Sequence, residues 1–210
     1  MSTFEAVVRH KIIAILRGLS DQEADAVVEA LADGGIRLVE ATLNTAGALG
    51  MIHRWREKYD AGLYVGAGTV LNVEMAKDAA AAGAQFMISP NFDPKVVEYG
   101  IKQGIDVYPG VMTPTEIVNA WNAGAKAVKI FPSATLGLNY IKEIRAPLDS
   151  IPMIATGGVT LANFPDFLQA GVTAVGLGSS LADKQAIREG RFDRIAESAR
   201  AFVRAAEGQG

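Results

Sequence analysis

The stretch Ala127-Val128-Lys129-Ile130-Phe131-Pro132 sets one lysine inside an apolar run that a proline closes. Side chains of a strand alternate faces, so Val128 and Ile130 share one side and Ala127, Lys129 and Phe131 the other. An ammonium among apolar neighbours is poorly solvated, which disfavours its charged form and lowers its pKa. At the ordinary value near 10.4, roughly one lysine in a few thousand is neutral at pH 7. A depression of about 2–3 units leaves a sizeable share of free amine, a nucleophile able to attack a ketone. The plain alternative is a strand-end lysine that snorkels to water.

Glu40 lies in Leu38-Val39-Glu40-Ala41-Thr42, on one face with Leu38 and Thr42. A buried carboxylate needs a partner, and an inward lysine on another strand is a natural one. The pair is either structural or a nucleophile beside a general acid/base that carries protons through carbinolamine, Schiff base and enamine. Arg17 ends an apolar run, where a guanidinium can hold a carboxylate bidentately, or it is a surface arginine in a loop. Gly66-Ala67-Gly68-Thr69 allows close backbone approach to a ligand, with Thr69 as a hydroxyl donor. Thr156-Gly157-Gly158 and Gly178-Ser179-Ser180 close two further runs, and glycine there lets backbone N–H groups approach an anion. Two histidines and no cysteine leave no donor set for a zinc-dependent aldolase or a thiol nucleophile, so neither a metal nor a cofactor is expected. Carbon–carbon cleavage would then use an iminium on a lysine as its electron sink.

The elements that must position these residues repeat. Apolar, β-branched runs span Ile12–Arg17, Leu38–Leu43, Tyr64–Thr69, Phe86–Pro90, Asp106–Val111, Ala127–Pro132, Met153–Gly158 and Ala174–Ser179. Their starts fall about 20–26 residues apart, room for a strand, a helix and two short loops. Ser20 with Glu23, and Thr113 with Pro114 and Glu116, read as capping boxes; Asp93-Pro94 reads as an N-cap with proline at N1. Glycines at 34–35, 83, 104, 124 and 171 end helices before the next run. Alanine-rich Glu23–Asp33, Val73–Ala82 and Arg191–Ala206 are helical in pattern.

Eight such units predict a parallel eight-stranded (β/α)₈ barrel, one domain over residues 1–210. A doubly wound open sheet is the runner-up, because strand counting does not show closure. Barrel enzymes place their chemistry at the C-terminal strand ends, where polar or glycine residues stand in nearly every run, including Glu40 to Asn44 and Ser89-Pro90-Asn91. The loops after strands seven and eight commonly bind phosphate. Lys126 begins its strand, so it points to the opposite end. A formal charge of −3 without a basic run argues against nucleic acid. Residues Met1 to Lys11 lack the apolar core of a signal peptide, and no apolar run reaches membrane-spanning length, which predicts a cytoplasmic protein.

In order and at matching strand ends, several segments resemble the 2-keto-3-deoxy-6-phosphogluconate/phosphogalactonate aldolases. They are Val39–Leu43, Val65–Val70, Ile88–Asn91, Val128–Ser133 and Thr156–Val159, and the likeness runs from about Ile12 to Leu181. The resemblance implies a class I aldolase on a (β/α)₈ barrel, usually a homotrimer. It implies Lys129 as Schiff-base lysine, Glu40 as general acid/base and Thr69 against the pyruvate portion. Gly157, Gly158, Gly178 and Ser179 fall where the phosphate end binds, and Pro90, Phe131 and Thr156 stand at neighbouring strand ends. The phosphogluconate branch carries arginine in a Leu-Arg-Thr pattern after the second strand. Here that pattern is Leu43-Asn44-Thr45, and Arg17 appears instead, as in the phosphogalactonate branch. Thr156 and Ser180 depart from that branch.

The expected activity is reversible cleavage of 2-dehydro-3-deoxy-6-phosphogalactonate to pyruvate and glyceraldehyde 3-phosphate. Arg17 and Thr69 would hold the pyruvate carboxylate, with Asn44 beside the C4 hydroxyl. The alternatives are 2-dehydro-3-deoxy-6-phosphogluconate or 4-hydroxy-2-oxoglutarate cleavage by the same chemistry. A sugar-phosphate isomerase and a noncatalytic phosphosugar-binding barrel are the others.

Overall fold

The computed structural model describes residues 1–59 and 62–208. All its strands pair in parallel, in the order β5 (Asp106–Tyr108), β4 (Phe86–Ile88), β3 (Tyr64–Gly68), β2 (Leu38–Thr42), β1 (Ile12–Leu16), β9 (Ala174–Leu177), β8 (Met153–Thr156), β7 (Val128–Ile130), β6 (Gly110–Val111). The two end members, β5 and β6, are halves of one run divided at Pro109. Its first half pairs with β4 and its second with β7, and Lys129 N–H donates to the Pro109 carbonyl at 2.8 Å. Eight β/α units therefore close into a (β/α)₈ barrel. Where the sequence predicts one strand over Asp106–Val111, the chain bends at a proline, which donates no ladder hydrogen bond. Gly110 permits the bend: a Cβ there would lie 2.3 Å from the Pro90 carbonyl.

The period of two holds on every strand that carries the site. Val39, Ala41, Val128 and Ile130 pack outward against the helices in one apolar cluster. Ile13, Leu38, Phe86, Tyr108, Ala127, Ile154 and Ala174 form a second, inside the barrel. Lys129 and Glu40 are thereby placed on the inner face, above this second cluster. Glycine makes room there: a Cβ on Gly66 would meet the Phe86 ring at 2.4 Å, and one on Gly176 the Thr156 hydroxyl at 2.5 Å.

Helices α2 (Asp21–Asp33) and α6 (Pro114–Asn122) begin with the expected capping boxes on Ser20 and Thr113. Asp93 caps α5 (Pro94–Gln103). The remaining helices are α3 (Ala48–Lys58), α4 (Val73–Ala81), α7 (Ser133–Arg145), α8 (Phe164–Gln169), α9 (Lys184–Arg188) and α10 (Phe192–Glu207). One element lies before the first strand, α1 (Thr3–His10), capped by Ser2 and Glu5. Its Ala6 and Val7 join the interior cluster and close the N-terminal end of the barrel. Phe4 N–H donates to Asp106 Oδ2 at 3.0 Å and Tyr64 Oη to the Met1 carbonyl at 3.1 Å, which hold this plug in place. No helix among the described residues is long and apolar enough to cross a membrane.

Candidate active site

A cavity of about 530 Å³ opens at the C-terminal ends of β1, β7, β8 and β9. Its lining includes Arg17, Lys129, Phe131, Thr156, Gly157, Gly158, Gly178 and Ser179, eight residues singled out by sequence. Lys129 is 6% exposed, and its Nζ lies 4.9 Å from the centroid of the Phe131 ring. Burial pulls the Lys129 ammonium below the ordinary lysine range; the Glu40 charge opposes this and the Arg17 charge adds to it. At 6% exposure the side chain is buried, not a strand-end lysine that snorkels to water.

Glu40 is 1% exposed, and burial pushes its carboxyl up to about 7 against the pull of Lys129 and Arg17. Its Oε2 accepts no hydrogen bond among the described residues. Glu40 lies outside the lining of the cavity, and its carboxylate interacts with the Lys129 and Arg17 charges through space. An orphaned acceptor in a dry site calls for a donor brought by ligand or water. Gly68 is required beside it, because a Cβ at that position would lie 2.5 Å from Glu40 Oε1. Burial moves both groups the same way, towards their uncharged forms: the carboxyl up to about 7 and the lysine below its ordinary range.

Hydroxyls fasten the strand ends that carry these groups. Thr42 Oγ1 donates to the Leu16 carbonyl at 3.3 Å and lies 3.0 Å from Thr45 Oγ1, which accepts from Gly18 N–H at 2.9 Å. The turn carrying Arg17 is so tied to the turn carrying Asn44. Ser133, fully buried, donates to the Ile130 carbonyl at 2.7 Å and accepts from Thr156 N–H at 3.0 Å, tying the end of β7 to that of β8. Neither link was expected from the sequence, since each joins residues whose nearness depends on strand order.

The remaining site candidates lie outside the lining of this cavity. Asn44 is exposed on the loop after β2, and Pro90 is exposed after β4, its carbonyl against Gly110. Thr69 is half-buried after β3, with φ 61°. A left-handed β-branched residue costs about 1–3 kcal/mol, a strain that clusters at functional sites. Lys184, at the start of α9, lines the cavity and was not anticipated. Its signal, a lysine five residues beyond Ser179, is legible only once α9 is placed beside the cavity.

A sequence model of the KDPG and KHG aldolase family matches residues 4–198. The chain belongs to that family. It is a carbon–carbon lyase, an aldolase. It is 41% identical to the probable 2-dehydro-3-deoxy-6-phosphogalactonate aldolase of Rhizobium meliloti (strain 1021) over 81% of each chain. It is 40% identical to the 2-dehydro-3-deoxy-6-phosphogalactonate aldolase of Escherichia coli (strain K12), over 92% of this chain and 93% of the other. A crystal structure of KDPG aldolase from Legionella pneumophila, with pyruvate captured at low pH as a covalent carbinolamine, superposes with a TM-score of 0.89 at 29% identity. That match covers 95% of this chain and 98% of the other.

Proposed function

We propose that this aldolase works through a Schiff base on Lys129 and reversibly cleaves 2-dehydro-3-deoxy-6-phosphogalactonate to pyruvate and glyceraldehyde 3-phosphate. The observation that carries the reading is the inward pair of a desolvated lysine and a carboxyl pushed up to about 7, at the mouth of one barrel. Neutral Lys129 attacks the C2 ketone to give a carbinolamine, which loses water to form a protonated imine. Glu40, through a water, takes the C4 hydroxyl proton; the C3–C4 bond breaks and its electron pair passes into the imine. Glyceraldehyde 3-phosphate leaves, and the enamine is protonated at C3. Water then releases pyruvate and restores the amine. Phe131, stacked near Nζ, keeps the ammonium desolvated between turnovers.

Arg17 and Thr69 hold the pyruvate carboxylate, and Thr156, Gly157, Gly158, Gly178 and Ser179 surround the phosphate end. Asn44 leaves room beside a C4 hydroxyl of the galacto configuration, and Pro90 shapes the adjoining wall. Two relatives at 40–41% identity bearing the galactonate name support this epimer. The chain acts as one domain, cytoplasmic and without a metal or cofactor. A homotrimer fits its family, and exposed Val118 and Trp121, three residues apart on α6, offer an apolar face for such an assembly to cover. A cleavage assay with the two C4-epimeric phosphosugar acids and with 4-hydroxy-2-oxoglutarate tests the assignment. Preference for the galacto epimer is expected; a preferred gluco epimer or unphosphorylated substrate overturns the substrate, and no pyruvate from any of the three overturns the activity.

A further inference from the structure

We propose that Lys184 is a specificity-determining residue whose ammonium pairs with the substrate phosphate and so selects phosphorylated over unphosphorylated acids. The inference rests on the proposed function above. The lining of the cavity carries three cations, Arg17, Lys129 and Lys184, and no carboxylate. With Lys129 committed to the ketone, a substrate with a carboxylate at one end and a phosphate at the other leaves one free cation for each. Arg17 ends β1 and presents a planar fork suited to a carboxylate. Lys184 is on the unit after β9, with Gly178, Ser179 and Ser180, where backbone N–H groups and hydroxyls are close at hand.

Backbone donors alone leave a phosphate of roughly −1.5 to −2 charge at pH 7 short of a counter-charge. Lys184 is exposed and enters none of the ion pairs found among the described residues, so its charge is not already spent. The neighbouring Asp183 does not line the cavity; its Oδ1 accepts from Ala186 N–H at 2.7 Å as the cap of α9. A lysine serves here as a mobile point charge, which suits phosphate better than it suits a planar carboxylate.

Lys184→Met keeps the stem and removes the charge. The phosphorylated substrate should lose about 10- to 150-fold in kcat/KM, almost all in KM, as for one charged hydrogen bond. The ratio of phosphorylated to unphosphorylated kcat/KM should fall by the same factor, and Lys184→Arg should restore most of it. Binding of inorganic phosphate, followed by calorimetry on wild type and variant, gives a readout free of turnover. Weaker phosphate binding by Lys184→Met supports the inference even where the cleaved substrate proves to be another phosphorylated acid. Equal phosphate affinity, or an equal loss on both substrates, overturns it.

Discussion

Replacing Glu40 by glutamine should make the protein more stable and much less active. The side chain is fully buried and its carboxyl titrates at about 7 instead of 4.5, a difference of about 3 kcal/mol at ~1.36 kcal/mol per unit. Between those two values the folded protein holds a proton that the unfolded chain has released. The contribution of this group to stability therefore falls as pH rises from 4.5 to 7 and stays low above 7. Glutamine does not titrate, so the stability of Glu40→Gln relative to wild type should rise by about 3 kcal/mol between pH 4 and pH 8. For a chain of this size that corresponds to roughly 6–12 °C in Tm. Removal of the carboxylate also takes away the charge that raises the Lys129 pKa, so the amine titrates lower still. Turnover should nevertheless fall about 10²–10⁴-fold, because the proton carrier is gone. Urea unfolding of both proteins at several pH values, with initial rates alongside, makes the comparison. A stability difference constant with pH, or turnover left nearly intact, refutes the placement of Glu40 as a desolvated base.

Arg17→Ala should cost about 2–5 kcal/mol in kcat/KM by leaving the substrate carboxylate unpaired, as steady-state kinetics would show; a silent variant assigns the anion to other donors. Asn44→Arg should alter the ratio of the two C4 epimers more than it alters total activity, read from paired kcat/KM values. Gly68→Ala puts a Cβ 2.5 Å from Glu40 Oε1. The carboxylate must move, at about 1–3 kcal/mol of overpacking, and kcat should fall well beyond any loss in pyruvate trapping. Unchanged kcat would mean that Glu40 occupies another position during turnover.

Much of the site was legible because strands alternate faces. Lys129, flanked by Val128 and Ile130, and Glu40, flanked by Val39 and Ala41, could be placed inward from their neighbours alone, and the apolar clusters divide along that line. The barrel itself followed from eight runs with glycine-ended helices between them. Closure did not, because it depends on one run splitting at Pro109 to pair in two directions. The α1 plug was missed since its eight residues carry only a short amphipathic pattern, and its value lies in the barrel end it closes. The Gly18–Thr45 and Ser133–Thr156 links join residues distant in sequence, so no local pattern announces them.

The proposed chemistry stands on a covalent bond at one nitrogen. The purified protein is incubated with pyruvate and sodium borohydride, digested, and the modified peptide located by mass spectrometry. One reduced pyruvyl group on Lys129, with activity lost in proportion, is the result the proposed mechanism predicts: this lysine is 6% exposed, and burial holds its pKa below the ordinary range. A label on the exposed Lys126 or on Lys184, or no label while cleavage proceeds, would contradict it.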